Sequence, residues 1–425
     1  MLRFATSPTG EMHIETLRLA IVNYLVAQQQ NKRFTVRIDD TDKALNIEGK
    51  DTEIMQILEK FALTHDSVFH QSEHLHIHQT LAIKLLEQNK AFICTCADKD
   101  PSKEKCSAAC ATVNKGEHAN LRESGVPFVI RIKNPENSIV FNDTIKGKIM
   151  TLPQEIDTFI ILKSDGIPTP DFASACDDML SGISTIIRSE AHLLSTAKQI
   201  YIKTQLGYEE EVSYAHLPII LNGNGKEFSK DDNTSYVKWL FEEGFIPDAI
   251  INYLLMLGNT KTTQEFFTLP EAIAWFNIED ISKSAVTFDI DALYLINKKH
   301  LELMDEKLLS TLFGFADEDI GKLAKVFLNE VSTIKELRKK IEPIFAPKDF
   351  SGAYGKEMRI LADIIANAPM IDDFNVFKST LIKASRLKEQ NLIKALGYLL
   401  TGTDTDSKLE DIYPHIKSYL LEVAS

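Results

Sequence analysis

Within its first 38 residues the chain runs through LRFAT, the turn SPTG, a stretch of helical periodicity and then FTVRI, an order that leaves few folds open. Leu2–Ala5 is short and apolar, and Ser7-Pro8-Thr9-Gly10 supplies the residues of a tight turn. From His13 to Gln30 the apolar Ile14, Leu17, Ile21, Tyr24 and Leu25 recur at the spacing of one helix face, until Asn31-Lys32 breaks the pattern. Phe34–Ile38 then reads as a second strand that enters the acidic loop Asp39-Asp40-Thr41-Asp42. Two strands joined through a helix lie parallel, so the segment predicts a βαβ unit in a parallel sheet. A ligand is expected at the carboxyl ends of those strands.

The chain contains neither G-x-G-x-x-G nor a Walker A motif, so neither a dinucleotide site nor a P-loop applies. With 425 residues and 44% hydrophobic content it can bury the cores of several domains. A net charge of −14 argues against binding nucleic acid through bulk charge, so any such role needs local basic patches. KELRKK (Lys335–Lys340) and KASRLK (Lys383–Lys388) are the candidates. No apolar run reaches the ~18–20 residues of a membrane helix, and MLRFATSP lacks the apolar core of a signal peptide. The expected setting is the cytoplasm, with no membrane partner.

Farther along, residues 90–150 read as irregular and β-rich, with Val126–Lys133 (VPFVIRIK) the clearest strand. From about Tyr236 onward helices dominate, as in Asp248–Leu257 and Lys325–Leu337. Cys94, Cys96, Cys106 and Cys110 lie within 17 residues, so four thiolates could close a tetrahedral zinc site or remain as reduced buried thiols. Five cysteines with this clustering fit a reducing compartment, and Cys176 reads as core. The five histidines of HDSVFHQSEHLHIH (His65–His78) have no acidic or cysteine partner at metal-ligand spacing, and read as a solvated face.

Seven ordered segments resemble bacterial class I glutamyl-tRNA synthetases. RFATSPTGEMHIETLR is similar to that family's RFAPSPTG-x-x-HIGN-x-R, and VRIDDTD to RIEDTD. SDGIPTPDFASACDDML follows its DG-x-P-T-Y-x-F-A…DD, and IIRSEAHLLSTAKQIYIKTQLGY its IRGEDH-x-x-NTPKQ…LG. YAHLPIILNGNGKEFSKDD follows AHLPLIL…KMSKR, and GFIPDAIINYLLMLG and FDIDALYLIN match the connecting helical region.

The resemblance implies an α/β plus all-α fold: a Rossmann-type parallel sheet split by an insertion, followed by helical domains. The corresponding boundaries are 1–80 and 186–235 for the halves of the catalytic domain, 81–185 for an inserted acceptor-binding domain, 236–305 for a helical contact domain and 306–425 for a helical anticodon-binding domain. It implies a monomeric ligase that uses ATP with Mg²⁺ to form glutamyl-adenylate, then transfers glutamate to the terminal adenosine of tRNA(Glu) or tRNA(Gln). His13 and Lys230 would be catalytic. Pro8, Thr9, Gly10 and Ser229 would join them around ATP, where helix-end amides suit phosphate and an imidazole can donate a hydrogen bond. Arg3 and Arg188 would clamp the two carboxylates of L-glutamate, with Ser7 donating and Asp39 accepting from the ammonium. Some members carry a C-x-C…C zinc site like that of Cys94, Cys96, Cys106 and Cys110.

Several residues depart from the family pattern around this one pocket. Glu15 replaces a glycine, Pro170 a tyrosine and Ala191 an acid, while Glu227-Phe228-Ser229-Lys230-Asp231 replaces K-M-S-K-R. Lys226 could stand in for the missing first lysine if the loop shifts by one residue. If Glu15 faced a phosphate about 5 Å away at an effective dielectric near 20, the repulsion would be roughly 3 kcal/mol. Turned instead toward Arg18 at i+3, it would be a favourable first-turn acid. The departures support a second reading, a synthetase paralogue that binds tRNA or glutamate without efficient adenylation.

Overall fold

The computed structural model describes residues 1–96, 106, 110, 126–229, 232–261, 264–403 and 408–425. They fall into two units, Met1–Lys238 with Ile251–Asp289, and Trp239–Ile250 with Ile290–Ser425.

The first unit is built on a seven-stranded sheet. Its strands are β1 (Leu2–Thr6), β2 (Phe34–Ile38), β3 (Ser67–His70), β6 (Ile139–Asp143), β7 (Gly147–Thr151), β9 (Thr185–Ser189) and β10 (Ser213–Leu217). They lie in the order β3-β2-β1-β9-β10-β6-β7, with all neighbours parallel except the final hairpin β6–β7. The predicted βαβ unit is present, with α1 (Ile14–Gln29) crossing between β1 and β2. Its Ile14, Leu17, Ile21 and Leu25 are fully buried, which explains the periodicity. His13 is the N-cap, in extended backbone, and its side chain accepts from the Glu15 amide.

β1 meets β9 at one registered pair, Leu2↔Thr185, whereas it meets β2 along its whole length from Leu2↔Phe34 to Thr6↔Ile38. α2 (Lys50–Lys60) precedes β3. Between β3 and β9 the chain adds α3 (Leu75–Glu87), α4 (Pro153–Ile156) and α5 (Pro170–Leu180). The same stretch forms a three-stranded antiparallel sheet from β4 (Ala91–Cys94), β5 (Val129–Ile132) and β8 (Phe159–Leu162). The predicted strand at Val126–Lys133 thus narrows to β5. After β9, α6 (Leu193–Leu206) leads to β10, and a two-residue strand β11 (Ile220–Leu221) pairs with β12 (Val286–Thr287).

The second unit is helical around one apolar core that includes Leu301, Leu337, Leu361, Leu399 and Tyr413. A helix is present at Pro247–Met256, close to the predicted Asp248–Leu257. The continuous helix expected over Lys325–Leu337 does not form. One helix ends at Phe327 and the next runs Ile334–Phe345. The cause is local: Thr333 accepts from the Glu336 amide while Glu336 accepts from the Thr333 amide, a capping box that starts a new helix inside NEVSTIKEL. Among the described residues, no helix is long and apolar enough to cross a membrane.

Gly321 in helix Asp319–Phe327 sets one of the two tightest backbone approaches in this unit. A Cβ there would lie 1.9 Å from the Glu306 carbonyl oxygen of the neighbouring helix Glu306–Thr311. Gly321→Ala should therefore force the helices apart and cost about 1–3 kcal/mol, read as a lowered urea midpoint.

Candidate active site

β1 and β9 part after their single shared pair, and the crevice at their carboxyl ends opens into a cavity of about 820 Å³. This is the switch point at which open α/β sheets take ligands. The predicted glutamate residues Arg3, Ser7, Asp39 and Arg188 all line it, as do Arg37, Arg131, Lys198 and Pro170.

The arginines are held by different devices. Asp178 of α5 accepts on one oxygen, Oδ1, from Arg3 Nε at 2.9 Å and from Arg37 Nη1 at 2.8 Å, with all three side chains buried. Burial pushes the Asp178 carboxyl up, and the Arg3 and Arg37 guanidiniums outweigh it, so the group stays below its ordinary value. Arg3 spends only Nε in this way; its two Nη groups have no hydrogen bond among the described residues. Arg188 is braced by Thr196 and by Gln199 Oε1 at 3.1 Å, and Thr196 in turn meets His216, whose Nδ1 lies 2.6 Å from Asp143. Burial, helped by Arg3, pushes Arg188 down to about 10, so it remains charged at neutral pH beside a second guanidinium. The pair therefore favours an anion in the cavity.

Asp39 differs from expectation in its surroundings. It is engaged by Arg37, with Nε to Oδ1 at 2.6 Å, and burial overcomes the opposing pull of Arg37 to raise its carboxyl above the ordinary value. Arg37 and Asp178 fall within the VRIDDTD and FASACDDML segments, but their joint role is not legible there, because Asp178 reaches the arginines from 141 and 175 positions away in the chain.

The described members of the predicted ATP set, Pro8, Thr9, Gly10, His13 and Ser229, are outside that lining. Pro8 is buried and its carbonyl accepts from the Ile47 amide, while a Cβ at Gly10 would meet no atom within 4 Å, so the space before it is open. The His13 ring lies 5.2 Å from Phe228 and 6.0 Å from Tyr236, edge to face. Burial lowers His13 to about 4, so the imidazole is neutral at physiological pH. Because Nδ1 accepts from the Glu15 amide, the proton sits on Nε2 and is available for donation. Ser229 is exposed and its amide donates to Asp232. Thr9 is exposed, and Lys230 and Asp231 lie outside the described residues.

Glu15 feels Arg18 as a charge at longer range and not as a direct ion pair. Its Oε1 accepts from the Ile220 amide at 2.7 Å. Pro170 occupies the first turn of α5, where its fixed φ suits the helix start and its missing N–H costs nothing.

The solvated-face reading holds for His65 and His76, which are exposed, and needs correction for His70, His74 and His78. His78 is fully buried, and His74 Nδ1 and His78 Nε2 both approach Asp177 Oδ1 at 2.8 Å, while His70 Nδ1 lies 3.1 Å from Asp40. The acidic partners come from distant segments, so spacing along the chain could not reveal them. The three donor atoms of His74, His78 and Asp177 lie within 4.8 Å of one another. His78 Nδ1, however, is buried without a hydrogen-bond partner, whereas a metal on Nε2 would require an N–H there with an acceptor. The cluster is a hydrogen-bonded one, with Gln71 Nε2 on the other Asp177 oxygen.

The four cysteine sulfurs Cys94, Cys96, Cys106 and Cys110 also lie within 4.8 Å of one another, with Cys94–Cys106 and Cys96–Cys110 both at 3.3 Å. They sit at the end of the β4–β5–β8 sheet beside Phe92 and Val129. A zinc tetrahedron with arms of about 2.3 Å has edges of about 3.8 Å, so the donor set fits that ion.

Asp178→Asn would leave two buried guanidiniums without their shared anion. It should cost about 3–5 kcal/mol of stability and, in protein that still folds, raise the KM for the anionic substrate.

A family model for class I tRNA synthetases (E and Q), catalytic domain, matches residues 1–295. Glutamate–tRNA ligase 2 of a Sulfurovum species is 59% identical over 429 residues, covering 100% of both chains. Glutamate–tRNA ligase 1 of a Nitratiruptor species is 47% identical over 431 residues, again covering 100% of both. A solved glutamate tRNA ligase from Elizabethkingia meningosepticum, in complex with its amino acid, superposes with a TM-score of 0.77 at 24% identity, covering 99% of this chain and 97% of that one. With a family model over most of its length and full-length relatives at 59% and 47% identity, the chain belongs to the class I glutamyl-tRNA synthetase family.

Proposed function

We propose that the chain attaches glutamate to tRNA in two steps, ATP-dependent formation of glutamyl-adenylate and transfer to the 3′-terminal adenosine. The single observation that carries this reading at the level of the site is the cavity at the β1/β9 switch point, where Arg3 and Arg188 converge with Ser7 and Asp39. In this reading the two arginines take the α- and γ-carboxylates of glutamate. Asp39 takes the ammonium while remaining tied to Arg37.

ATP enters with Mg²⁺ along Pro8, Thr9 and Gly10, and the Nε2–H of neutral His13 donates to the phosphate being attacked. Ser229 and Lys230 stabilise charge as pyrophosphate leaves. No covalent enzyme intermediate is needed, because positioning and electrostatic stabilisation suffice. Residues 81–185 take the acceptor end of the tRNA, 236–305 connect, and 306–425 read the anticodon, with tRNA(Glu) as the partner and tRNA(Gln) a second acceptor. The protein acts as a cytoplasmic monomer. Zinc, where bound, is structural: Cys94, Cys96, Cys106 and Cys110 would hold it and it would tie the chain at the end of β4.

The reading of an impaired paralogue loses one of its supports, since the Glu15 carboxylate is spent on the Ile220 amide. ATP–pyrophosphate exchange with glutamate, run with tRNA present, is expected to proceed; absence of exchange with tRNA binding intact would overturn the ligase reading. Charging of separate tRNA(Glu) and tRNA(Gln) preparations will show which is accepted. Protein purified without chelator should contain close to one zinc per chain, and less than about half an equivalent would count against the four-cysteine site.

A further inference from the structure

We propose that Glu15 is a positioning residue for adenylate formation: by accepting the Ile220 amide, its carboxylate fixes the root of the 222–229 loop to the first turn of α1. This rests on the ligase reading above and deepens it.

Two consecutive amides just past Pro218 are taken by carboxylates from separate elements. Glu15 Oε1 accepts from Ile220 N at 2.7 Å, and Glu190 Oε1 accepts from Ile219 N at 2.9 Å. Glu190 is itself secured by Lys146. The carbonyls of the same segment are used elsewhere, with Val286 N donating to Ile219 O at 3.1 Å and Phe288 N to Leu221 O at 2.8 Å. Ile219 and Leu221 turn their carbonyls to β12, so the Ile220 N–H points away from that strand, and side-chain acid supplies the partners of the Ile219 and Ile220 amides. Ile220 is only 3% exposed, so without Glu15 its N–H would be stranded away from water.

From β11 the chain turns directly into the loop. Asn222 N donates to Lys226 O at 2.7 Å, Leu221 and Glu227 form a bridge, and Phe228 comes to rest against His13 and Phe288. His13 also accepts from the backbone amide of Glu15. Residue 15 thus contacts His13 through its backbone and the loop root through its side chain. The two parts of the site that must meet the nucleotide together are joined by one residue. Arg18 gives the carboxylate its longer-range counter-charge: its guanidinium is buried, with Nη2 on the Leu257 carbonyl and Nε and Nη1 without hydrogen-bond partners.

The test compares Glu15→Ala with Glu15→Gln in the full-length protein, since glutamine keeps an acceptor oxygen and removes the charge. Hydrogen–deuterium exchange is followed in peptides spanning 219–229, and ATP–pyrophosphate exchange gives kcat and the KM for ATP. Glu15→Ala should speed amide exchange in that segment by about tenfold, roughly what one net hydrogen bond is worth, while peptides from β9 stay protected. It should lower kcat with little change in the KM for ATP, and Glu15→Gln should restore both readouts toward wild type. Amide exchange unchanged in Glu15→Ala would overturn the proposal, as would a sharply lower KM for ATP, which would mean that the carboxylate faces a phosphate. If Glu15→Ala does not fold, Glu15→Gln decides alone: near-native kcat and protection support the contact, and loss of either overturns it. Wild-type protein inactive in pyrophosphate exchange would refute the ligase reading, and the amide-exchange result would still stand.

Discussion

One oxygen of Asp178 joins two adjacent strands of the sheet to the helix that covers them. Arg3 on β1 and Arg37 on β2 both donate to it, and none of the three side chains has more than a few per cent of its surface in water. Three charges removed from solvent are tolerable only when their geometry is closely matched. The match fixes where α5 lies on the sheet and which way each guanidinium turns. Arg37 is also held by Asp39, so the positive charge left uncancelled at the cavity is that of Arg188. The crevice therefore favours anions before any substrate arrives, and the neutral brace of Thr196 and Gln199 adds the Arg188 charge without cancelling it.

What can be read from sequence and what cannot divides along chain distance. β1, α1 and β2 are legible because each is a local pattern: alternation or periodicity bounded by Pro, Gly and Asn. Arg3, Ser7, Asp39 and Arg188 are legible as motif members, and they converge on one cavity. Their partners lie in the same quoted segments, but the contacts they make are not legible. Asp178, Asp177 and Asp40 meet their arginines and histidines across 30 to 175 positions, and no window of sequence contains both halves of such a pair. The same limit explains the histidine-rich stretch, in which His78 is buried by a helix encoded about a hundred residues later. The helix break before Thr333 is a different failure, since its capping box is present in the sequence and apolar periodicity on either side masks it.

Glu15 shows why a departure from a family pattern cannot be interpreted by residue type alone. An acid beside a phosphate site suggests repulsion, and its sequence neighbour Arg18 suggests an ion pair. The carboxylate instead meets a backbone amide 205 positions away. Which effect wins is decided by a strand that exists only once the rest of the unit has folded. The shift in Glu15 itself follows from this burial, which raises its carboxyl while the Ile220 amide pulls it back.

The single pairing between β1 and β9 carries a consequence for how the chain is made. The terminal amine of Met1 donates to Ser184 and the Ser184 amide donates back to Met1, contacts that span 183 positions. During synthesis β1 has one neighbour, β2, within reach early, while its other neighbour, β9, is not yet made. Until β9 (Thr185–Ser189) is made, the middle of the eventual sheet is an open edge, the kind of surface that pairs with other chains. The insertion that gives the cavity one of its walls also prolongs that exposure, so the nascent chain is most vulnerable to misassembly at the very place where the finished protein binds its ligand.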